Sequence, residues 1–227
     1  PLEFVQLLEG SSGDIDSMES NRPFLEIMTA QPVIPDSPFM PPAATPRFIE
    51  LVREARCYLE YGTGGTTISA RRAGLKTLVA VESDPQWLEA VRRKLDEGGG
   101  TEGCHLMHVD IGPTGDWGYP TTDAYWKRYA NYPLDVWNYC KESGLAPDVI
   151  LIDGRFRVAC FLATLLFAPP GSSVLFDDYL DRPHYHIVEK FVCPYQTHDR
   201  LAEFHLDTVQ SRDTIWLALM DAVTDTR

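Results

Sequence analysis

The stretch Glu60–Thr67, which reads EYGTGGTT, decides the fold of this chain. It completes an apolar run, Cys57–Tyr61, that predicts a short strand, and it leads into a helix predicted over Thr66–Ala73. Glycines let a backbone turn tightly and approach a ligand without an intervening Cβ, and the first N–H groups of a helix have no partner within the helix. The stretch therefore predicts a ligand-binding turn, although a strand–helix turn can also need glycines for its own geometry.

Strands and helices alternate on both sides of this turn. The predicted strands are the apolar runs Cys57–Tyr61, Thr77–Val81, Leu106–Val109, Val149–Ile152 and Val174–Phe176. The predicted helices include one that begins at Asp84-Pro85 and an apolar one over Val158–Phe167. Such alternation predicts a parallel sheet with helices on both faces. Near the C-terminus, Leu201–Leu206 and Thr214–Met220 lie too close together for a parallel crossover, so we expect an antiparallel hairpin there.

The charge composition narrows the classes of partner. The 227 residues include 33 acidic and 20 basic side chains, which gives a net charge of −13. A nucleic-acid-binding protein usually shows a basic stripe, whereas the densest basic clusters here, Arg71-Arg72 and Arg92–Lys94, fall on predicted helices as solvated faces. We therefore expect no nucleic-acid partner, while a small anionic substrate stays compatible with the charge.

Apolar runs and cysteines bear on the location of the protein. No apolar run approaches the roughly 18 residues of a membrane span, and the first thirty residues lack the pattern of a signal peptide. The five cysteines are scattered and form no C-x-x-C pair, which is typical of buried thiols in a reducing compartment. We expect a cytoplasmic protein without a membrane partner; the sequence does not fix the oligomeric state.

Two acidic residues add to the glycine-rich turn. Glu82 ends the second predicted strand, twenty residues after Gly62, where a carboxylate accepts hydrogen bonds from the ribose hydroxyls of an adenosine. Asp110 ends the third strand, where the adenine amino group is expected. A dinucleotide fingerprint would have a glycine where Thr67 stands, so an NAD-dependent oxidoreductase is the alternative with the poorer match.

Residues 40–220 resemble a class I S-adenosylmethionine (SAM)-dependent methyltransferase domain. The similarity is to the branch whose loop reads E-Y-G-x-G-x-S/T-T and which later contains I-D-G and F-D-D, here Ile152–Gly154 and Phe176–Asp178. The resemblance implies an α/β fold: a Rossmann-like doubly wound sheet of seven strands, mostly parallel, with an antiparallel C-terminal hairpin strand. It also implies SAM as the cofactor, bound by Glu60, Gly62, Thr63, Gly64, Gly65, Thr66, Glu82, Ser83, Asp110, Ile111 and Asp153.

The reaction that the resemblance implies is methyl transfer from SAM to an oxygen atom of a small molecule. The candidate catalytic residues are Asp153, Asp177, Asp178 and Arg155. Members of this branch often have a His soon after I-D-G, and related enzymes hold a divalent cation with an additional Asn, but this chain has neither residue at those places. A SAM-binding protein without catalysis is therefore an alternative.

The charges after the fourth and fifth predicted strands allow two arrangements. The three carboxylates could hold Mg²⁺, or they could cap strand ends and be neutralised by Arg155 and Arg157. We predict the arginines and no metal. The same two arginines lie at the mouth where ligands bind in open α/β sheets. They could recognise a substrate carboxylate or phosphate, or they could pair with nearby aspartates, Asp181 among them.

The chain divides into an arm and a domain. Residues 1–46 form a proline-rich arm, expected to be extended with a short helix near Phe4–Leu8 and to be a candidate interaction module. Residues 47–227 form the SAM-binding domain, and its aromatic-rich insertion, residues 111–147, is either a water-excluding lid or a packed helical insertion. His184 and His186 either offer a base or begin the next helix.

Overall fold

A computed structural model of the chain describes residues 32–207 and 211–227. The strands of this part are β1 Tyr58–Tyr61, β2 Leu78–Glu82, β3 Cys104–His108, β4 Val149–Ile152, β5 Ser173–Phe176, β6 Gln196–His198 and β7 Leu201–His205. The α-helices are α1 Thr45–Glu54, α2 Gly65–Arg72, α3 Pro85–Glu97, α4 Asn131–Ser143, α5 Arg157–Phe167 and α6 Arg212–Ala222. Short 3₁₀ helices lie at Asp116–Gly118, Asp123–Arg128 and Pro183–Lys190.

The strands form one seven-stranded sheet in the order β3-β2-β1-β4-β5-β7-β6. The first five strands are mutually parallel, and β7 is antiparallel to both β5 and β6. This confirms the predicted fold class. Because the strand order reverses between β1 and β4, a ligand of such a sheet is expected outside the carboxyl ends of these two strands.

The predicted C-terminal hairpin is correct for one strand and wrong for the other. Leu201–Leu206 contains β7, but Thr214–Met220 lies in α6. The buried residues of α6 are Ile215 and Leu219, four apart, which is the spacing of one helix face rather than of a strand. The true partner of β7 is β6, whose three residues include no apolar side chain and so gave no strand pattern.

The core lies on both faces of the sheet. One face packs against α5, where every residue from Arg157 to Leu166 is buried, and against buried residues of α4 and α6. The other face packs against α1 and α2, with Phe48 and Val52 fully buried. A helix that is apolar all round belongs in the interior, which explains the central position of α5.

The described part of the arm packs on the domain. Ile34 is buried beside Val91 and Leu95 of α3, and α1 begins at Thr45, two residues before the boundary expected at 46/47. The helix expected near Phe4–Leu8 lies outside the described residues. Within the described ranges, no helix is long and apolar enough to cross a membrane.

The insertion contains the packed helix that was one of the two arrangements left open for it, and a water-excluding lid stays a prediction. Its second half is a packed helix, α4, in which Tyr132 and Trp137 are buried. Its first half is open to solvent, with Trp117 79% exposed and Trp126 53% exposed. We call residues 112–121 the cover segment, because it lies over the carboxyl ends of β2 and β4, as described below.

Candidate active site

The glycine-rich turn joins β1 to α2 and is held by hydrogen bonds within and around it. The Gly64 N–H donates to Thr67 Oγ1 at 2.9 Å, so the threonine that replaces the third glycine of a dinucleotide fingerprint fixes the start of α2. The indole N–H of Trp87 donates to the Thr63 carbonyl at 2.7 Å. These bonds set the path of the turn before any ligand is considered.

Glu82 connects this turn to the end of β2. Its Oε2 accepts bonds from the Thr63 N–H at 3.2 Å and the Thr63 hydroxyl at 3.0 Å. Its Oε1 accepts bonds from the N–H groups of Ser83 at 2.8 Å and Asp84 at 3.0 Å. Burial raises the pKa of Glu82, and the N–H groups of Asp84 and Thr63 oppose that rise. A carboxylate sits where the sequence predicted a ribose contact.

The glycines of the turn have different reasons to be glycine. Gly62 has φ +90°, and a Cβ there would lie 2.8 Å from the Gly154 Cα on the neighbouring strand end. A Cβ on Gly65 would collide with the Ser37 carbonyl oxygen of the arm. A Cβ on Gly64 would make an ordinary contact with Trp87 at 3.7 Å. Gly62 and Gly65 therefore allow other segments of the protein's own backbone to approach closely. The sequence interpretation assigned that space to a ligand.

Glu60 lies beneath the turn with no exposed surface. Its Oε2 accepts a hydrogen bond from the Tyr58 hydroxyl at 3.0 Å, and the side chains of Thr66 and Thr67 lie close enough to oppose a rise of its pKa. Burial raises the pKa of Glu60 to about 7. This carboxyl group is therefore close to its titration point at neutral pH.

Other predicted cofactor residues follow the ends of β2 and β3. Ser83 is buried, and Ile111 is fully buried in the core. The Asp110 side chain is 58% exposed and pairs with Arg128; it also accepts a bond from the Gly112 N–H at 2.8 Å. Asp110 therefore anchors the start of the insertion in this structure.

The three aspartates that follow β4 and β5 meet, as the sequence predicted. Asp153, Asp177 and Asp178 each offer a carboxylate oxygen, and these atoms lie within 4.8 Å of one another. Arg157, with a side chain only 4% exposed, contacts Asp153 at 2.9 Å and Asp178 at 3.2 Å. It also donates to the carbonyl oxygens of Gly154 and Asp177 at 3.0 and 2.8 Å.

Two further arginines complete this cluster, and the sequence interpretation missed both. Arg200 contacts Asp177 at 3.1 Å and Asp178 at 2.8 Å, and Arg182 contacts Asp178 at 2.8 Å. Arg200 lies in the turn between β6 and β7, next to β5, so the misplaced hairpin concealed it. We call the three aspartates with Arg157, Arg182 and Arg200 the paired cluster. Its carboxylates are matched by guanidinium groups, an arrangement that does not favour a divalent cation.

Asp153 differs from the other two carboxylates of the cluster. Burial raises its pKa to about 7, and Arg157 opposes that rise. Its side chain nevertheless keeps 30% of its surface exposed, against 3% for Asp177 and 18% for Asp178. Among the three, Asp153 has the most exposed side chain.

Arg155 is separate from the paired cluster, contrary to the prediction that it would neutralise the aspartates. It is buried, with 5% exposure, and its guanidinium carbon lies 3.9 Å from the centre of the Tyr119 ring. Its Nε and Nη1 have no hydrogen-bond partner within residues 32–207 and 211–227. The two arginines on either side of Phe156 thus have opposite environments.

The cover segment passes over Glu82 and Arg155. A Cβ on Gly118 would lie 3.0 Å from Ser83 Oγ, 3.8 Å from Arg155 Cγ and 3.9 Å from Glu82 Oε1. The adjacent Trp117 has a left-handed backbone, φ +59°. Its exposed ring lies 6.4 Å from that of Phe39 in the arm. The cover segment therefore lies close over the Glu82 carboxylate and the Arg155 side chain.

Comparison with solved structures supplies the family. A methyltransferase-like protein from Silicibacter pomeroyi is 37% identical, with a TM-score of 0.73, over 84% of this chain and 100% of that chain. The chain belongs to the class I methyltransferase-like family. This confirms the predicted resemblance, and the family differs from that of the NAD-dependent oxidoreductases.

More distant methyltransferases show lower similarity. An O-methyltransferase from Bacillus cereus in complex with S-adenosylhomocysteine (SAH) is 15% identical, with a TM-score of 0.48, over 79% of this chain and 83% of that one. A putative O-methyltransferase from Klebsiella pneumoniae is 18% identical, with a TM-score of 0.48, over 78% and 84%. No protein-family model matches this methyltransferase-like chain, and no curated protein matches it. The family assignment rests on the Silicibacter protein alone.

The two candidate histidines of this methyltransferase-like protein lie in the 3₁₀ helix Pro183–Lys190, which agrees with the second interpretation given for them. A ring nitrogen of His186 lies 3.1 Å from the Tyr179 carbonyl oxygen. Burial lowers the pKa of His184, and Arg227 adds to that effect. Tyr185, between the two histidines, is fully buried and faces Arg157, 6.0 Å from its guanidinium carbon. This helix therefore supports the paired cluster.

Proposed function

We propose that this protein binds SAM and transfers its methyl group to an oxygen atom of a small, anionic acceptor. The observation that supports the proposal most directly is the buried Glu82 carboxylate, bonded to the Thr63 backbone of a glycine-rich turn. It lies at the carboxyl end of β2, beside β1, where the strand order reverses toward β4, in a member of the class I methyltransferase-like family.

The residues of the turn fit the adenosine part of SAM. Glu82 would accept bonds from the ribose hydroxyls, which would replace the weaker contacts it makes with the hydroxyls of Thr63 at 3.0 Å and Ser83 at 3.5 Å. The backbone N–H bonds from Thr63, Ser83 and Asp84 would remain and keep the carboxylate oriented. When bound, SAM supplies an electrophilic methyl group.

The remaining task of the protein is to position the acceptor and to take its proton. Holding two reactants in line lowers the barrier of a bimolecular step. Asp153 is the candidate base, because its side chain is partly exposed and burial raises its pKa above that of an ordinary aspartate, toward the range that suits proton transfer. Asp177 and Asp178 would hold Arg157 and Arg200 in place beside it.

A second function, SAM binding without methyl transfer, has its own supporting observation. Each of the three aspartates contacts at least one arginine, and an ion pair of this kind leaves a carboxylate less available as a base.

The cytoplasmic location and the absence of a nucleic-acid partner, both inferred from the sequence, stay predictions.

The test compares Glu82→Gln with Glu97→Gln, an exposed residue at the end of α3. Calorimetry with SAM, SAH and NAD⁺ should show SAM and SAH binding to the wild-type protein and no tight binding of NAD⁺. Glu82→Gln should weaken SAM by about 1.5–3 kcal/mol, the scale of a hydrogen bond to a charged group, whereas Glu97→Gln should leave it unchanged.

Three results would count against the assignment: tight NAD⁺ binding, no SAM binding, or equal SAM affinity in the two variants. Thermal unfolding of both variants separates a lost ligand contact from a damaged turn. Release of SAH from SAM in the presence of small hydroxy acids then distinguishes methyl transfer from binding alone.

A further inference from the structure

Two arginines after β4 have the same charge and opposite surroundings. Arg157 contacts Asp153 and Asp178 and donates to two carbonyl oxygens. Arg155 is as deeply buried, at 5% exposure against 4%, yet its Nε and Nη1 have no partner in the described part of the chain. The left-handed backbone of Phe156, φ +53°, separates the two.

A buried guanidinium without an anion is unfavourable. Burying a charge costs free energy unless it is paired and hydrogen-bonded, and arginine cannot lose its proton to escape that cost. None of the many acidic side chains within residues 32–207 and 211–227 pairs with Arg155, so a buried arginine at the ligand edge of the sheet indicates an anion supplied by a ligand.

The Tyr119 ring shapes how Arg155 can bind. The ring faces the guanidinium at 3.9 Å from its carbon. Stacking uses the face of the guanidinium plane and leaves its N–H groups directed outward in that plane. A planar carboxylate matches such an edge through two parallel hydrogen bonds.

We propose that Arg155 receives the carboxylate group of a bound small molecule and is the residue that gives this site its preference for anions. The carboxylate belongs either to the acceptor or to the amino-acid part of SAM. The binding of a carboxylate by Arg155 is inferred from the surroundings of Arg155, whereas the naming of these two sources rests on the proposed function. Arg157 takes no part in the recognition, because its donors are already engaged by the protein.

The test measures direct binding with two matched pairs of probes. The first pair is SAH and 5′-methylthioadenosine, which shares the adenosine and lacks the carboxylate. The second pair is 4-hydroxybenzoate and 4-hydroxybenzyl alcohol, titrated with SAH present. The variants are Arg155→Met, which removes the charge, and Arg155→Lys, which keeps the charge without the planar fork. Arg56→Met is the control, because Arg56 is an exposed arginine, 80% accessible, paired with Asp148.

We expect the wild-type protein to prefer the carboxylate member of at least one pair by about tenfold or more. Arg155→Met should reduce that preference to near one while leaving the affinity for the neutral member unchanged, and Arg155→Lys should retain part of it. If Arg155→Met loses the preference for SAH over 5′-methylthioadenosine, the cofactor is the source of the carboxylate. If it loses the preference for 4-hydroxybenzoate over 4-hydroxybenzyl alcohol, the acceptor is the source.

The proposal is overturned if the wild-type protein shows no carboxylate preference in either pair. It is also overturned if Arg155→Met binds all four probes as the wild type does, or loses the charged and neutral members equally, as a merely structural arginine would. A protein that binds neither adenosine probe contradicts the proposed function instead. In that case 4-hydroxybenzoate and its alcohol, titrated without SAH, still decide the role of Arg155.

Discussion

The paired cluster and the region under the cover segment lie side by side at the same edge of the sheet, but they are built differently. In the paired cluster, three aspartates meet three arginines at 2.8 to 3.2 Å. Under the cover segment, the Nε and Nη1 atoms of Arg155 are buried without a hydrogen-bond partner among the described residues, and Arg155 has no ion pair there. Opposite charges that pair with one another stabilise a fold, whereas a buried charge without a counter-charge at a ligand edge indicates where a ligand completes the structure.

Removing the central arginine should damage the paired cluster most. Arg157→Met would leave Asp153 and Asp178 beside each other without their shared cation. We expect a loss of about 3–5 kcal/mol in the free energy of unfolding, the scale for breaking a buried ion pair. Urea denaturation measures it, with Arg56→Met as the control at less than about 1 kcal/mol, because that pair is exposed. Equal losses in the two variants would show that Arg157 is not what holds the cluster together.

Glu60 should make stability depend on pH in the opposite direction from an ordinary ion-paired carboxylate. Its pKa in the folded protein is about 7, above the value of 4.5 for an unperturbed glutamate. The folded state therefore binds the proton more tightly, and stability falls as the pH rises from about 4.5 through 7, by roughly 2–3 kcal/mol.

The matched variant for this effect is Glu60→Gln, which keeps an acceptor for the Tyr58 hydroxyl and does not titrate. Its free energy of unfolding, followed from pH 5 to pH 8, should fall less than that of the wild type, and the other buried carboxyl groups with a raised pKa, Asp153, Asp177 and Glu82, contribute slope in the same direction. Parallel pH profiles for the two proteins would show that Glu60 does not titrate in this range.

The smallest expected effect is the difference in stability between two alanine variants of the glycine-rich turn. Gly62→Ala places a Cβ on a backbone with φ +90° and against Gly154, so we expect a loss of about 1–3 kcal/mol in stability. Gly64→Ala has ordinary space beside Trp87 and should cost less than about 1 kcal/mol. Thermal unfolding of the two variants measures this contrast. A stable Gly62→Ala protein would contradict a structural role for this glycine.

The sequence predicted the ligand edge of the sheet better than the chemistry along it. The positions of Gly62, Glu82 and Asp153 at strand ends followed from apolar runs and glycines close by in the chain, and the structure has them there. The reason that Gly62 is glycine could not be seen, because Gly154 approaches it from a strand about ninety residues away.

The cover segment was only partly predictable. The aromatic residues and the length of the insertion indicated either a lid or a helical insertion; α4 is a packed helix, and the water-excluding role stays a prediction for the largely exposed residues 112–121. Which aromatic residue faces which partner depends on the path of a long connection. The Tyr119–Arg155 contact is therefore a property of the folded chain alone.

The sequence by itself determined the alternation of strands and helices, the turn between β1 and α2, and the three carboxylates at neighbouring strand ends, because these depend on residues close together in the chain. The tertiary structure alone decided that β7 lies between β5 and β6, that Arg182 and Arg200 join Arg157 in the paired cluster, and that Arg155 has no ion pair among the described residues. Two arginines separated by one residue are alike in sequence. Only the packing around them determines which one meets an aspartate and which one is left for a ligand.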